Sequence, residues 1–128
     1  MRLNHIDIHV EDVTPTVDFL VRHCGLKLRE MRGKAGLAIL EDDSGLELVV
    51  SRPVEAFGGS EQSATGRVTY HLGFIQSERS DVDRIHDQML RAGVEQLGQP
   101  REMRGGYLFY CMAPGHVLVE IGWRGPQE

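Results

Sequence analysis

Apolar and polar residues alternate in short stretches along the first part of the chain, interrupted by one segment with helical spacing. Residues 3–10, LNHIDIHV, have apolar side chains at every second position, which is typical of a strand with one buried face. Thr14 and Pro15 then predict the N-cap and the first residue of a helix, whose apolar residues recur at helical spacing as far as Gly25. Three further strands are predicted at residues 26–31, 36–41 and 46–51. The pattern therefore predicts the order β-α-β-β-β.

The same order of elements is predicted a second time in the remainder of the chain. Residues 68–75 alternate like the first strand, and Ser80 begins a sequence, SDVD, that resembles a capping box before a helix ending at Gly93. The apolar stripe of this helix consists of Val82, Ile85, Met89 and Leu90. Three more strands are predicted at residues 94–97, 107–112 and 117–123. Between the two halves, residues 53–66 are rich in Gly, Ser, Thr and Pro and predict a linker.

This internal repeat constrains the whole architecture. We predict a single α+β domain over residues 1–128, built from two βαβββ modules at residues 1–52 and 67–124. Each module is expected to form a small sheet with its helix on the outer face. Two such modules can curve their eight strands into a cup, or two half-barrels, around a shared concave side. The repeat therefore predicts a cleft.

Four of the predicted strands carry a His or a Glu opposite their apolar face. In the first strand, Ile6 and Ile8 share one parity, which leaves His5 on the other side of the sheet. In the fourth, fifth and eighth strands, a Glu or a His likewise lies opposite the residues of apolar parity. Each module thus supplies one His from its first strand and one Glu from its last strand to the side away from its helix. These four residues are His5, Glu47, His71 and Glu120.

Two imidazoles and two carboxylates that converge in a cleft suit a divalent transition metal. Two negative ligands balance a 2+ ion, and a coordination number above four leaves positions for water or for two neighbouring oxygens of a substrate. A structural zinc site is more usually closed by four ligands that include cysteines, so this set favours catalysis. The alternative is a cleft with polar walls and no metal, because a single His or Glu on a strand is more often a surface residue.

Composition and charge narrow the expected partners to small molecules. Hydrophobic residues make up 41% and charged residues 26% of the chain, as in ordinary folded domains. The net charge of −5, without a run of like charges, argues against nucleic acid and against a membrane surface. No apolar stretch approaches the roughly 18–20 residues that span a bilayer, and the N-terminus turns polar too soon for a signal peptide, which predicts a cytoplasmic location. Cys24 and Cys111 are too few for a disulfide framework.

The segments LNHIDIHV, LELVV, VTYHLGF and GHVLVEIGW, in this order around the predicted helices, resemble the vicinal oxygen chelate superfamily. This superfamily includes glyoxalase I, extradiol dioxygenases, methylmalonyl-CoA epimerase, fosfomycin-modifying thiol transferases and bleomycin-binding proteins. The resemblance covers essentially the whole chain. It implies a metal-dependent enzyme that acts on a small molecule with adjacent oxygens, and it implies a homodimer.

Within the superfamily, the chain is most similar to glyoxalase I in its metal set. That similarity implies His5, Glu47, His71 and Glu120 as ligands of Ni, Zn, Mn, Co or Fe, in a lyase or isomerase whose catalytic base is Glu120 or, second, Glu47. Two alternatives are antibiotic resistance proteins: a fosfomycin-type thiol transferase and a bleomycin-type drug-binding protein. A third is an extradiol ring-cleavage dioxygenase. The transferases and the dioxygenases use three protein ligands, which map to His5, His71 and Glu120.

Three further residues are predicted to contact the substrate. Tyr110 lies near the final turn, where relatives place a Tyr beside the metal. His9 stands where glyoxalase I usually carries the Arg that holds the glutathione carboxylate. Arg104, together with Arg101, precedes Gly105-Gly106 and can reach an anionic substrate from a loop. The alternatives are a packed aromatic ring for Tyr110 and a solvated pair for the two arginines.

Overall fold

The computed structural model describes residues 1–53, 70–103 and 105–125, which form two helices and nine strands. The helices are α1 (Val13–Cys24) and α2 (Arg79–Arg91). The strands are β1 (His5–His9), β2 (Lys27–Arg32), β3 (Leu37–Glu41), β4 (Glu47–Ser51), β5 (His71–Ile75), β6 (Glu95–Gln96), β7 (Arg101–Met103), β8 (Gly106–Ala113) and β9 (Val117–Trp123). The predicted α+β class is confirmed.

The chain divides into two compact units, and the described residues of each contain one helix and one mixed sheet. Unit 1 is Met1–Arg67 with Pro114–His116, and unit 2 is Val68–Ala113 with Val117–Glu128. The sheet of unit 1 has the order β1-β4-β3-β2, and that of unit 2 has the order β5-β9-β8-β6, with β7 also paired to β8. In both sheets the first and last strands of the unit are parallel neighbours, and the other pairs are antiparallel. This matching topology confirms the predicted βαβββ repeat.

Unit 2 contains one strand more than the sequence pattern predicts. Arg101–Met103, expected to lie in a loop, is the short strand β7, paired with the first residues of β8. The strand β8 is long. Because β6 pairs with Cys111 and Met112 toward the C-terminal end of β8, the N-terminal end of β8 can pair with β7. The strand conformation of β7 therefore comes from this pairing. A strand of three residues is too short to be predicted from alternating apolar and polar positions. The predicted linker 53–66 lies, apart from Pro53, outside the described residues.

Helix α1 begins two residues earlier than the Thr14–Pro15 pattern predicts. Asp12 is the N-cap residue, which places Pro15 third in the helix. This position is compatible with proline because the amide groups of the first turn have no partner within the helix. The helix ends as predicted at Gly25, whose φ of 72° allows its N–H to donate to the carbonyl of Leu20. The helix packs on β2, β3 and β4, with Leu20 and its apolar neighbours buried.

Helix α2 follows the predicted apolar stripe but not the predicted cap. The N-cap residue is Glu78, whose side chain makes no capping hydrogen bond in the described structure, so the capping box beginning at Ser80 is wrong. Val82 and Met89 are buried against the sheet of unit 2, whereas Leu90 is 52% exposed, because it lies at the edge of the buried face. In the three described ranges, neither helix is long and apolar enough to cross a membrane.

The predicted strand parities describe the buried faces of both sheets well. Ile8 and Val10 of unit 1, and Val119 and Ile121 of unit 2, are at most 3% exposed. Ile6, predicted to pack with Ile8, is instead 38% exposed. The reason is its place on β1, an edge strand that pairs only with β4 in the sheet. The buried apolar face therefore does not extend to the N-terminal end of that strand.

Pro114–His116, which belong to unit 1, pack against Val10 and helix α1 of the same unit. Thr16 Oγ1 donates a hydrogen bond of 2.8 Å to the carbonyl oxygen of Pro114. Gly115 has a φ of +88°, and a Cβ added there would lie 2.7 Å from Val10 Cγ1 and 3.0 Å from Thr16 Oγ1. Both the backbone conformation and the close approach therefore require glycine at this position.

We expect Gly115→Ala to lower the free energy of unfolding by about 3 kcal/mol, because the new methyl group adds a steric clash to the strain of a positive φ. Gly45→Ala is the matched control, since Gly45 has a φ of +91° but has no atom within 4 Å of the added Cβ. The control should lose only about 1 kcal/mol. Urea unfolding of both variants measures the difference, and equal losses would show that the contact with Val10 is unimportant.

Candidate functional site

The sheet of unit 2 brings His71 and Glu120 together on neighbouring strands. β5 and β9 are parallel, with His71 opposite Leu118 and Gly73 opposite Glu120. The His71 Nε2 atom lies 3.7 Å from Glu120 Oε1. Glu120 is only 3% exposed, although the strand pattern predicts it on the open side of the sheet. A carboxylate with so little contact with water requires polar partners.

Tyr110 supplies one of those partners. It stands directly opposite Glu120 in the antiparallel pairing of β8 and β9, and its hydroxyl donates a 2.9 Å hydrogen bond to Glu120 Oε1. The ring of Tyr110 also meets the imidazole of His71 edge to face, with centroids 5.5 Å apart. Arg124, which the sequence analysis missed, places Nη2 3.8 Å from Glu120 Oε2. Its position just beyond the end of β9 is outside the alternation that identified the other residues.

The sheet of unit 1 places His5 and Glu47 side by side. They are Cα partners in the parallel pairing of β1 and β4, so their side chains leave the same face of the sheet. His5 is exposed, and its Nδ1 lies 3.2 Å from Asn4 Oδ1. Glu47 Oε1 accepts a 2.6 Å hydrogen bond from Arg29 Nη1. Arg29 is not among the site residues predicted from the sequence.

His9 lies four residues beyond His5 on the same face of β1. Its Cα partner is Ser51, and its Nε2 lies 4.0 Å from Asp7 Oδ1. That same carboxylate oxygen accepts a 2.7 Å hydrogen bond from the buried Ser51 hydroxyl. Asp7 is therefore held in place beside His9. The face opposite the helix in unit 1 thus carries a row of polar groups that runs from His5 to His9.

The remaining predicted residues contribute less to the described site. Arg104 lies outside the described residues. Arg101 is exposed on β7, opposite Leu108. Cys111 is buried, and burial raises the pKa of its thiol to about 12. A thiol with that pKa stays protonated near neutral pH and is neither a nucleophile nor a metal ligand there.

In the part of the chain that the structure describes, no group of three or more His, Cys, Asp or Glu side chains could hold a metal ion. What the structure shows is one His–Glu pair in each unit, at positions related by the repeat. The donor chemistry of each pair fits a divalent transition metal, since it joins an imidazole nitrogen to a carboxylate oxygen. Within unit 2, the 3.7 Å separation of His71 Nε2 and Glu120 Oε1 places the two donors within the span of one coordination sphere.

A model of the Glyoxalase/Bleomycin resistance protein/Dioxygenase superfamily matches residues 2–121. The chain belongs to this superfamily. The resemblance found in the sequence is therefore confirmed, and with it the repeat on which the site prediction rests. A comparison with curated protein sequences finds no significant match.

Solved structures of the superfamily have the same fold over nearly the whole chain. A possible glyoxalase from Bacillus cereus is 28% identical, with a TM-score of 0.77 and coverage of 94% of this chain and 97% of that one. A lactoylglutathione lyase from Agrobacterium tumefaciens is 16% identical, with a TM-score of 0.72 and coverage of 95% and 92%. A genomically encoded fosfomycin resistance protein from Listeria monocytogenes is 19% identical, with a TM-score of 0.73 and coverage of 96% and 93%. The last two similarities, at such low identity, concern the fold alone.

Proposed function

We propose that the protein is a divalent-metal-dependent lyase or isomerase that acts on a small α-hydroxycarbonyl compound or a similar molecule with adjacent oxygens. His5, Glu47, His71 and Glu120 would hold the metal, each repeat contributing one imidazole and one carboxylate. The metal is Ni, Zn, Mn, Co or Fe, and the working form is a cytoplasmic homodimer. Membership of the superfamily supports a small-molecule substrate and a divalent metal.

The observation that carries the proposal is the environment of Glu120. Its carboxylate is almost completely buried, yet its polar neighbours are Tyr110, His71 and the largely exposed Arg124. Keeping a carboxylate in such a place costs free energy unless it is compensated, and a structural role would be met more cheaply by an apolar residue. A buried carboxylate beside an imidazole is instead what a metal ligand or a catalytic base requires.

The proposed reaction gives a role to Glu120, to Tyr110 and to the predicted substrate contacts. A bound divalent cation supplies Lewis-acid polarisation of the adjacent oxygens of the substrate. Glu120 takes the proton from the carbon next to the carbonyl group, and Oε2 is the accepting atom because Oε1 already accepts the Tyr110 hydrogen bond. Tyr110 holds the carboxylate in orientation. His9, which lies beside Asp7 in unit 1, contacts a polar group of the substrate, and Arg104 is a second candidate contact for the substrate.

Elemental analysis and an exchange assay together test the proposal. Purified protein should contain about one equivalent of divalent transition metal per chain. It should also exchange the α-protons of hydroxyacetone for deuterium in D2O, as followed by NMR. Removal of the metal with a chelator should stop the exchange, and addition of the metal should restore it. Exchange that continues in protein shown to be free of metal would refute the proposal.

The ion pair of Glu47 with Arg29 favours a second candidate, a fosfomycin-type thiol transferase. In that function His5, His71 and Glu120 are sufficient ligands, and Glu47 is free to remain paired with Arg29. Glu47→Ala distinguishes the two functions. The lyase should lose about a hundredfold or more in turnover, because Glu47 is a ligand there, whereas the transferase should keep most of its activity. Assays with hydroxyacetone and with fosfomycin plus a thiol give the comparison.

A further inference from the structure

Arg29 lies at a β-bulge in β2 and is paired with Glu47. Leu28 pairs with Leu40 of β3 and Glu30 pairs with the next residue, Ile39, so Arg29 is an extra residue without a Cα partner in β3. The guanidinium group of Arg29 donates from Nη1 to Glu47 Oε1 at 2.6 Å, and its Nε lies 3.6 Å from Glu41 Oε2.

The ion pair of Arg29 and Glu47 is short, but another ligand of the carboxylate can replace the arginine. The side chain of Arg29 is 50% exposed, and that of Glu47 is 26% exposed. Ion pairs with this access to water add little net stability, so a stronger ligand for the Glu47 carboxylate can displace the arginine. Glu41 lies beside Glu47 in the pairing of β3 and β4 and remains as a partner for the displaced guanidinium.

Arg29 also borders an open hollow of about 340 Å³ on unit 1. The hollow is lined by Arg29, Glu30, Arg32, Ile39 and Glu47. Arg32 is paired with Glu30 at 2.8 Å. If Glu47 binds another ligand, it is therefore the guanidinium group of Arg29 that loses a partner and gains free N–H donors. The volume is sufficient for a small organic acid.

We infer that Arg29 is an exchangeable counter-ion of Glu47: a divalent metal displaces it, and the released guanidinium binds the anionic group of the substrate in this hollow. The ligand is a small molecule that combines two adjacent oxygens with a separate carboxylate or phosphonate group. Guanidinium binds both kinds of anion through paired N–H groups. This inference rests on the proposed function, because it takes Glu47 as a metal ligand.

Metal affinity measures the first half of the inference without any turnover. Arg29→Met should raise the affinity for Co²⁺ about fivefold, because the metal no longer competes with the guanidinium group for Glu47. Arg29→Lys, which keeps the charge, should stay near the wild-type value. Arg32→Met is the matched control, since Arg32 lines the same hollow but is paired with Glu30, and its affinity should not change. Titration in competition with a coloured chelator gives these values.

A double-variant comparison shows whether the effect passes through Glu47. In the Glu47→Ala background, Arg29→Met should no longer raise the Co²⁺ affinity, because there is no carboxylate left to release. Circular dichroism melts of all variants establish that they are folded. A rise of the same size in that background would assign the effect to general charge repulsion and overturn the inference.

Two hydroxamates test the second half. Both acetohydroxamate and succinate monohydroxamate present two adjacent oxygens, and the second adds a carboxylate. By calorimetry, the Co²⁺-loaded wild type should bind the succinate derivative about tenfold more tightly, and Arg29→Met should bind the two equally. If the wild type takes up metal but Arg29→Met changes neither metal affinity nor this ratio, the inference fails and the proposed function stands. If the wild type takes up no metal, both fail.

Discussion

His71→Ala is expected to lose affinity for divalent metal by about a hundredfold or more while remaining folded. His71 would provide one of two imidazole ligands, and its partner Glu120 would keep Tyr110 and Arg124 as its polar neighbours among the described residues. The fold should survive because the His71 side chain is 37% exposed and lies on the open face of β5. Metal content after dialysis, together with Co²⁺ titration and a thermal melt, measures both parts of the result.

His23→Ala is the control for the loss of an imidazole. His23 lies in helix α1, where its ring contacts Phe19 at 5.0 Å, and it has no predicted role at the site. The metal content of this variant should equal that of the wild type. If His71→Ala keeps its metal, the assignment of His71 is wrong, and the polar-walled cleft without metal becomes the better interpretation of the two His–Glu pairs.

Glu120→Gln should reduce the exchange of α-protons by about a hundredfold or more, because an amide cannot accept the proton that a catalytic base removes. The substitution is nearly isosteric, and the amide oxygen can still accept the hydrogen bond from Tyr110. Replacing a buried charge by a neutral group of the same size should leave the free energy of unfolding nearly unchanged. Deuterium exchange of hydroxyacetone, performed on metal-saturated protein, and urea unfolding, performed on metal-free protein, separate catalysis from stability.

Glu102→Gln serves as the control for the loss of a carboxylate in the same unit. The side chain of Glu102 is 77% exposed and pairs with Arg79 at 3.2 Å, away from Glu120. Its exchange rate should match that of the wild type. An undiminished rate in Glu120→Gln would remove Glu120 from the role of base and transfer that role to Glu47.

The sequence was sufficient to predict the neighbours within each proposed half of the site. The alternation of apolar residues predicts that His71 and Glu120 lie opposite the apolar faces of two separate strands, and the repeat makes them the equivalents of His5 and Glu47. The structure places the members of each pair on adjacent parallel strands. This worked because the period of a strand is two, so a buried apolar face determines which residues lie opposite it.

The sequence was not sufficient to predict the residues that surround those pairs. Arg29 lies at a bulge in β2, and its contact with Glu47 depends on the pairing of β2, β3 and β4. Tyr110 could be suspected from relatives, but its hydrogen bond to Glu120 depends on the register of β8 against β9. The strand β7 was mispredicted for a similar reason, since its strand conformation depends on its pairing with β8.

What the sequence by itself determined is therefore the repeat, the α+β class and the side of the sheet to which each polar residue belongs. These properties follow from local periodicity, which one strand carries without its neighbours. Only the tertiary structure decided which charges meet: the burial of Glu120 under Tyr110, and the pairing of Glu47 with Arg29. Such contacts depend on strand register and on bulges, and these are set by the pairing of segments that are distant along the chain.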